Sequence, residues 1–245
     1  MILKSLPLVI FPLLLICQLS KAAAPIARPN CQDRCGNISI PYPFGIGNGC
    51  YLNKSFEIVC NQTSNSPPRA YISSINMELL DIVGGTAFVK GPVIPFNCSG
   101  KGASPTSLNF TGSPFFFSFD SCFISVGCNI RSLLNGIGPT IIGCQSTCSN
   151  QSYVPDGKPY KFCSGRNCCQ VDVMPYELQV FIPHLENLEQ DSSGCKVAYM
   201  ADPTYREVSN VTDDPQVVKD LEYVPMGLAW IMDDAHWKYD IRVMS

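Results

Sequence analysis

The sequence has 245 residues, a net charge of −3 and 46% hydrophobic residues, which is enough apolar material for one large or two small globular domains. Its 14 cysteines are far above normal usage and are spread from Cys17 to Cys195 instead of forming one compact group. This distribution favours disulfides and argues against a metal site, so we expect no metal and no cofactor.

Residues 1–23 have the pattern of a secretory signal peptide. Lys4 precedes an apolar run, and small residues follow at positions 22–24. A transmembrane anchor is the alternative, but the run is short and is broken by Pro7 and Pro12. No later segment approaches the roughly 20 apolar residues of a membrane span. We therefore expect a secreted protein of the extracellular space or cell wall, where disulfides persist.

Seven N-glycosylation sequons agree with export and predict a glycoprotein. Each has Ser or Thr two positions after the asparagine and no intervening proline. The seven asparagines are Asn37, Asn53, Asn61, Asn97, Asn109, Asn150 and Asn210.

The stretch from Cys31 to Cys60, CQDRCGNISIPYPFGIGNGCYLNKSFEIVC, combines four cysteines with two prolines and three alternating glycines. Apolar residues alternate from Ile38 to Tyr42, which predicts a short edge strand running into a turn. A phosphate-cradling loop is the alternative for the glycines, but it needs a following helix, and Cys50 follows instead. We expect a turn.

Three β-rich runs come next, SFEIVC, YISSINMELLDIV and TAFVKGPVI, and they predict a meander. Glu78 and Asp81 have no basic partner within sequence reach, so we expect them on a solvent-facing surface. The segment from Cys98 to Pro114 is rich in Ser, Gly and Pro and predicts a surface loop.

The second half resumes β character at FFFSFDSCFISVGC, and two later runs, QVDVMPYELQVFI and CKVAYM, predict further strands. The three adjacent phenylalanines are either buried core, which we favour, or a stacking platform for a ligand. Adjacent Cys168 and Cys169 rarely bond each other, so each should pair elsewhere. Asp213 or Asp214 before Pro215 predicts one helix over DPQVVKDLE.

Charge is distributed unevenly along the chain. Residues 23–170 hold ten Lys and Arg against six Asp and Glu, whereas residues 171–245 hold five against fourteen. The first part is suited to attract a polyanion and the second is not. Solvated surface charge without a function explains the same counts.

The motif CGNISIPYPFGIGNGC and several later landmarks carry a family resemblance. The chain resembles the extracellular region of plant wall-associated receptor-like kinases, whose galacturonan-binding module opens with a motif similar to C-x3-C-GN-[IV]-x-IPYPFGIG-x-GC. FEIVC, GRNCCQ and VPMGLAW are similar to later family patterns, so the resemblance covers about Cys31 to Trp237. The residues that match the opening motif are Cys31, Cys35, Gly36, Asn37, Ile40, Pro41, Tyr42, Pro43, Phe44, Gly45, Ile46, Gly47, Gly49 and Cys50.

The resemblance implies a mainly β, disulfide-rich fold with little helix. It implies a galacturonan-binding module over residues 31–98 and a second cysteine-rich β module over residues 115–240. The family's EGF-like modules, membrane span and kinase are missing from the sequence, so we expect a truncated or soluble receptor-like protein. A fragment of a full receptor, at the outer face of the plasma membrane, is the alternative.

The resemblance also predicts the state of the cysteines. Cys122 stands where the family pattern has a charged residue, so we expect it to be free or bonded to another molecule. The alternative is that the end of the chain leaves Cys195 unpaired instead. The twelve cysteines expected in disulfides are Cys31, Cys35, Cys50, Cys60, Cys98, Cys128, Cys144, Cys148, Cys163, Cys168, Cys169 and Cys195.

The implied function is non-catalytic binding of pectin, as de-esterified galacturonan or its oligomers, with calcium only as a bridge in the ligand. A receptor for this polyanion needs basic residues along a shallow groove and aromatic faces for the sugar rings. The candidate ligand-binding residues are Arg34, Lys54, Arg69, Lys90 and Lys101. The aromatic residues near them in sequence are Tyr42, Phe44, Tyr51 and Tyr71.

Two other function classes remain open. One is a protein-protein interaction module or a decoy for full-length wall-associated receptors, which an unpaired Cys122 would favour. The other is a secreted glycosidase that uses two carboxylates. Asp233 and Asp234 lie beside His236, but adjacent acidic residues in this acidic region are more often surface, and His184 has no metal-ligand spacing around it.

Overall fold

The computed structural model describes residues 26–63, 66–99, 107–135, 142–148, 163, 165–172, 175–188, 194–204 and 214–232. These residues form sixteen strands with one short α-helix and one 3₁₀ helix, which confirms the predicted mainly β fold. The strands are β1 Arg34–Cys35, β2 Ile38–Ser39, β3 Ile58–Thr63, β4 Ser66–Ile72, β5 Met77–Val83, β6 Thr86–Gly91, β7 Ile94–Phe96, β8 Leu108–Asn109, β9 Phe115–Phe117, β10 Cys122–Val126, β11 Ile130–Asn135, β12 Ile142–Ser146, β13 Cys168–Val171, β14 Val180–Asn187, β15 Lys196–Ala201 and β16 Val224–Trp230.

The largest sheet is antiparallel and has the order β3-β4-β5-β6-β16-β9. Its first four strands are the predicted meander, which is confirmed. Strand β16 comes from near the end of the chain and pairs with β6 on one side and β9 on the other. The two predicted cysteine-rich modules therefore contribute strands to a common sheet.

Two further antiparallel sheets of four strands have the orders β13-β10-β15-β7 and β12-β11-β14-β8. They face each other through Phe123 and Phe181, whose ring centroids are 5.8 Å apart. A hydrogen bond of 2.7 Å from the Ser132 hydroxyl to the Ser125 hydroxyl satisfies both buried side chains between the layers. Strand β7 pairs with β15, so this part too joins residues that are distant in sequence.

The opening cysteine motif covers the inner face of the large sheet with aromatic side chains. Phe44 is fully buried, and its ring contacts Phe56 at 5.4 Å and Trp230 at 5.0 Å between centroids. Phe115, Phe116 and Phe117 are all buried, which confirms the prediction of the three adjacent phenylalanines as core. Each such ring removes roughly 150–250 Å² from water, so this cluster dominates the stabilisation of the layer.

The alternating glycines of the motif form a turn, as predicted. A side chain at Gly45 would place its Cβ 2.2 Å from the carbonyl oxygen of Cys50, so only glycine tolerates the close approach of these backbones. Gly47 and Gly49 adopt φ values of 88° and 83°, which other residues rarely adopt. The segment that follows is the 3₁₀ helix Lys54–Phe56.

Six disulfides pair the twelve cysteines named above. Cys168 and Cys169 bond to different cysteines and not to each other. The six pairs are Cys31–Cys50, Cys35–Cys60, Cys98–Cys195, Cys128–Cys148, Cys144–Cys169 and Cys163–Cys168.

Cys122 is free, and its side chain is 1% exposed on β10. Its thiol lies 3.5 Å from the carbonyl oxygen of Ala201, which accepts a weak hydrogen bond. Burial, helped by the nearby charges of Asp172 and Asp202, raises the pKa of the thiol well above its ordinary value. A buried, protonated thiol is inert, so the structure gives no support to a disulfide between Cys122 and another molecule.

The predicted helix begins where expected but is shorter than the sequence suggests. Helix α1 spans Pro215–Val218, and the Asp214 carboxylate caps it by accepting a hydrogen bond from the backbone N–H of Gln216. The prediction of a helix through DPQVVKDLE was wrong at its C-terminal end. Two consecutive β-branched valines weaken the helix, and β16 begins only a few residues later at Val224.

A buried network around Asp202 fastens β16 to the turn between β9 and β10. The Ser118 hydroxyl donates to the Asp202 carboxylate at 2.6 Å, and Thr204 donates to it through its hydroxyl, also at 2.6 Å. The Ser121 hydroxyl donates to the carbonyl oxygen of Gly227 at 3.3 Å. A Cβ at Gly227 would lie 2.2 Å from the Asp202 carboxylate, so the network requires glycine there.

The burial of Cys122 predicts its reactivity. In the unreduced native protein, iodoacetamide should modify Cys122 at least ~100-fold more slowly than in guanidinium chloride, because alkylation awaits opening of the fold. Raising the pH from about 7 to 9 should not remove this protection, because the raised pKa keeps the buried thiol protonated over that range. Peptide mapping by mass spectrometry measures both rates. Rapid labelling of native Cys122 would contradict its burial.

Candidate ligand-binding face

The alternation of β4 places polar and aromatic side chains on the side of the large sheet away from the core. Ala70 and Ile72 are buried, whereas Arg69 is exposed and Tyr71 is half-buried on the opposite face. Tyr71 is paired with Glu78 on β5. We name this surface, with Lys90 of β6, the charged face.

Glu78 joins two of the predicted ligand-binding residues. Its carboxylate lies 3.5 Å from the Arg69 guanidinium and 3.2 Å from the Lys90 ammonium. The Lys90 ammonium also lies 3.3 Å from the carboxylate of Glu222, just before β16. Two cations from different strands therefore converge on one carboxylate.

Glu78 was expected on a solvent-facing surface without a basic partner within sequence reach, and the structure places it on the outer face of the sheet, half-buried between Arg69 and Lys90. Its partners lie on the neighbouring strands β4 and β6, and sequence distance does not reveal that adjacency. Asp81 is half-buried, and its carboxylate accepts a hydrogen bond from the backbone N–H of Ile82.

Two tyrosines flank the cations. The Lys90 ammonium lies 4.5 Å from the centroid of the Tyr223 ring, within the range of a cation–π interaction. Tyr71 lies two residues from Arg69 on the same face of β4, and its hydroxyl contributes to the raised pKa of that arginine. Sequence patterns point to Tyr71 but not to Tyr223 and Glu222, because only the pairing of β16 with β6 brings these two residues to Lys90.

Both cations stay protonated at neutral pH. The charge of Glu78 raises the pKa of Arg69 above its ordinary value. Burial opposes the charged form of Lys90, but hydrogen bonds and charges from Glu78 and Glu222 outweigh it and raise its pKa. The Arg69 side chain is 51% exposed and Lys90 is 18% exposed, so the guanidinium is the more accessible group.

The other predicted basic residues lie elsewhere. Arg34 belongs to the β1–β2 hairpin, which the Cys35–Cys60 disulfide holds against the inner, core-facing side of the sheet. Its guanidinium donates to the backbone carbonyl of Asn37. Lys54 follows the same motif and pairs with Glu57 at 2.6 Å. Lys101 lies outside the described residues.

Arg28 is a basic residue near the motif that the sequence analysis did not name. Its guanidinium lies 4.8 Å from the centroid of the Tyr42 ring and donates to the carbonyl oxygen of Gly49. Through these two contacts Arg28 stabilises the glycine-containing turn of the motif. Of the predicted aromatic residues, Phe44 is core and cannot contact a ligand.

All five sequon asparagines in the described part of the chain are exposed: Asn37, Asn53, Asn61, Asn97 and Asn109. Asn61 on β3 is directly opposite Arg69 on β4. Cβ atoms of such cross-strand pairs are about 4.5–5.5 Å apart, so a glycan on Asn61 would begin beside the Arg69 side chain. Asn150 and Asn210 lie outside the described residues.

The candidates for catalysis or metal binding do not form a centre. His184 is exposed, and its imidazole lies 3.5 Å from Glu186, which also pairs with Arg131. Among the described residues, no three His, Cys, Asp or Glu side chains come together to hold a metal ion, and no helix is long and apolar enough to cross a membrane. Asp233, Asp234 and His236 lie outside these residues.

Comparison with known families gives two matches. Residues 31–88 match the family model described as wall-associated receptor kinase galacturonan-binding, and residues 160–239 match the model described as wall-associated kinase. Arg69 lies within the first match, and Lys90 lies just beyond its end.

Three Arabidopsis thaliana proteins illustrate the similarity. Wall-associated receptor kinase-like 4 is 35% identical over 88% of this chain, wall-associated receptor kinase-like 10 is 33% identical over 94%, and wall-associated receptor kinase-like 6 is 32% identical over 86%. The aligned regions are 29%, 33% and 36% of the relatives' own lengths, so the chain spans about a third of each. No solved structure matches the chain.

Proposed function

Because this chain is a wall-associated receptor kinase ectodomain-like protein, we propose that it is a non-catalytic module that binds de-esterified galacturonan in the cell wall. The proposed site is the charged face. Calcium enters this proposal only as a bridge between carboxylates of the polysaccharide. Full-length wall-associated receptors are proposed as further partners.

The observation that supports this function is the convergence of Arg69 and Lys90 on the carboxylate of Glu78. A galacturonate unit presents the same chemical group, a carboxylate, and is able to take the place of the Glu78 side chain. Arginine suits this role because its planar guanidinium donates two parallel hydrogen bonds to a carboxylate. Tyr71 and Tyr223 supply ring faces beside the cations for the sugar.

Binding of galacturonan at the charged face is expected to be weak because its ion pairs are exposed to solvent. Ion pairs at exposed positions are worth roughly 0–1 kcal/mol each and weaken as salt rises. A single site is therefore weak, and firm retention requires several molecules or several sites along one polysaccharide chain. This matches a regular polyanion better than a short ligand.

The competing functions have less support. The decoy hypothesis rested on an unpaired Cys122, and the burial of its thiol removes that argument. The glycosidase hypothesis has little support, because the Glu78 and Glu222 carboxylates, which approach each other at Lys90, are both paired with its ammonium.

Neutralising both cations should weaken binding. Relative to the unchanged protein, Arg69→Gln with Lys90→Gln should reduce affinity for immobilised polygalacturonate about 10-fold at low ionic strength, because two charge-assisted contacts are lost. Biolayer interferometry at about 20 and 500 mM NaCl measures the loss and its dependence on salt. The difference between the two proteins should shrink at high salt.

Arg131→Gln is the matched control, because Arg131 is 52% exposed and pairs with Glu186 on a different sheet. It should bind polygalacturonate like the unchanged protein. Equal losses from Arg131→Gln and Arg69→Gln would show that overall charge, and not the charged face, governs binding.

Removing the internal carboxylate should have the opposite effect. Glu78→Gln frees Arg69 from its competing partner and leaves Lys90 paired with Glu222 alone, so affinity for polygalacturonate should rise about threefold to 10-fold. Glu186→Gln, which releases Arg131 and His184, serves as the control in the same assay. Weaker binding by Glu78→Gln would mean that Glu78 holds the cations in place and that ligand does not replace it.

Glycosylation at Asn61 should oppose binding. In protein from a glycosylating host, Asn61→Gln should raise polygalacturonate affinity severalfold, because the glycan no longer shields Arg69. Thr111→Ala removes the sequon of Asn109 on another sheet and should leave affinity unchanged. In protein from a host that does not glycosylate, Asn61→Gln should also have no effect. An equal gain in both hosts would rule out shielding.

A further inference from the structure

Three aromatic rings form a cluster at the edge of the large sheet, and we name Phe116, Phe119 and Tyr176 the aromatic cluster. The ring centroids are 6.1 Å apart for Phe116 and Phe119, 6.4 Å for Phe116 and Tyr176, and 5.5 Å for Phe119 and Tyr176. Each ring thus contacts both others. Phe116 is on β9, and the other two are in turns that precede β10 and β14.

Burial within this cluster is uneven. Phe116 is only 5% exposed and forms its floor, whereas Phe119 is 57% exposed and Tyr176 is 72% exposed. Single exposed apolar residues are common on protein surfaces, but two rings in mutual contact over a third form a continuous apolar surface. Phe119 and Tyr176 lie outside the buried apolar clusters of the structure, although they help to cover Phe116.

Acidic residues adjoin the exposed rings in sequence. Asp120 follows Phe119 directly, Glu177 follows Tyr176, and both are exposed. The neighbouring Glu177 carboxylate raises the pKa of the Tyr176 hydroxyl through its hydrogen-bonding and charge interaction with it. Within the described part of the chain, neither Asp120 nor Glu177 forms an ion pair with Lys or Arg.

The charge around the cluster is unfavourable for a polyanion. Residues 107–120, 175–188 and 226–232, which carry or adjoin the cluster, contain no Lys or Arg. A galacturonan carboxylate would meet two like charges here, which excludes the ligand proposed for the charged face. A neutral sugar would stack on the rings without using the negative charges. A guanidinium or ammonium group interacts with both the rings and the carboxylates, since it is attracted to a ring face and to a negative charge.

We propose that the aromatic cluster binds an arginine- or lysine-bearing segment of a protein partner. The cation lies against the ring of Phe119 or Tyr176, and Asp120 and Glu177 pair with it at the rim. Arginine is favoured over lysine, because the planar guanidinium stacks on an aromatic ring while still donating hydrogen bonds to a carboxylate. The protein then has separate surfaces for an acidic and for a basic ligand.

The test uses a synthetic octapeptide of alternating glycine and arginine, capped at both ends. Biolayer interferometry with the immobilised protein measures its affinity, and a peptide with neutral citrulline in place of arginine is the comparison. Phe119→Ala and Tyr176→Ala should each weaken binding of the arginine peptide about twofold to fivefold, as expected for an exposed cation–π contact. Asp120→Asn with Glu177→Gln should weaken it and reduce its dependence on salt.

Matched variants lie on other surfaces. Ile182→Ala removes an apolar side chain that is 38% exposed, and Asp33→Asn neutralises an exposed carboxylate; neither should change peptide affinity. All variants should retain polygalacturonate binding and the thermal midpoint of the unchanged protein, because the altered side chains are outside the core and the charged face.

Three outcomes would overturn the proposal. The first is that the ring variants bind the arginine peptide as tightly as the unchanged protein does. The second is that the citrulline peptide binds as tightly as the arginine peptide. The third is that binding of a neutral oligosaccharide such as cellohexaose depends on the rings whereas binding of the arginine peptide does not. Loss of polygalacturonate binding in the Arg69 and Lys90 variant, measured separately, leaves this test unaffected. The two proposals can therefore fail independently.

Discussion

The pairing of β16 with β6 is the constraint on which the rest of the structure depends. It adds strand β16, residues 224–230, to the edge of a meander made by residues 58–91. The same pairing places Trp230 against Phe44, which closes the aromatic core beneath the sheet. On the other face of the sheet it places Tyr223 and Glu222 beside Lys90. The aromatic core and the candidate site therefore both depend on the pairing of β16 with β6.

The two proposed surfaces divide the charge asymmetry of the sequence between them. The basic first part of the chain supplies Arg69 and Lys90, although Glu222 from the acidic part moderates them. The aromatic cluster contains residues from both the basic and the acidic part of the chain, and the charged residues next to its exposed rings are all acidic. Since both surfaces are exposed and electrostatic, each gives modest affinity and strong discrimination by charge sign. Under the two proposals, the charged face binds an acidic polysaccharide and the aromatic cluster binds a basic protein segment, so the two ligands do not compete for one surface.

Local patterns predicted much of this fold because they depend on near neighbours. Alternation identified the meander, Asp214 with Pro215 identified the helix start, and the glycines of the motif identified the turn. The partners of Glu78 escaped prediction because they depend on strand register, which the turns and the core decide together. Phe116 illustrates the same limit: the sequence favours core for all three adjacent rings, and only the fold brings Phe119 and Tyr176 against Phe116. The family resemblance supplied the ligand class, but it did not show which basic residues share a face.

The Cys98–Cys195 disulfide has a consequence for the order of oxidative folding. Its loop spans 97 residues, whereas the other five loops span 5 to 25. On the proposed secretory route the chain enters an oxidising compartment from its N-terminus, so Cys98 arrives long before its partner and meets the thiols of Cys122, Cys128, Cys144 and Cys148 first. Correct pairing then requires thiol–disulfide exchange after most of the chain has been delivered. Disulfide isomerase activity in the host should therefore govern the yield of native protein more than the total oxidant does.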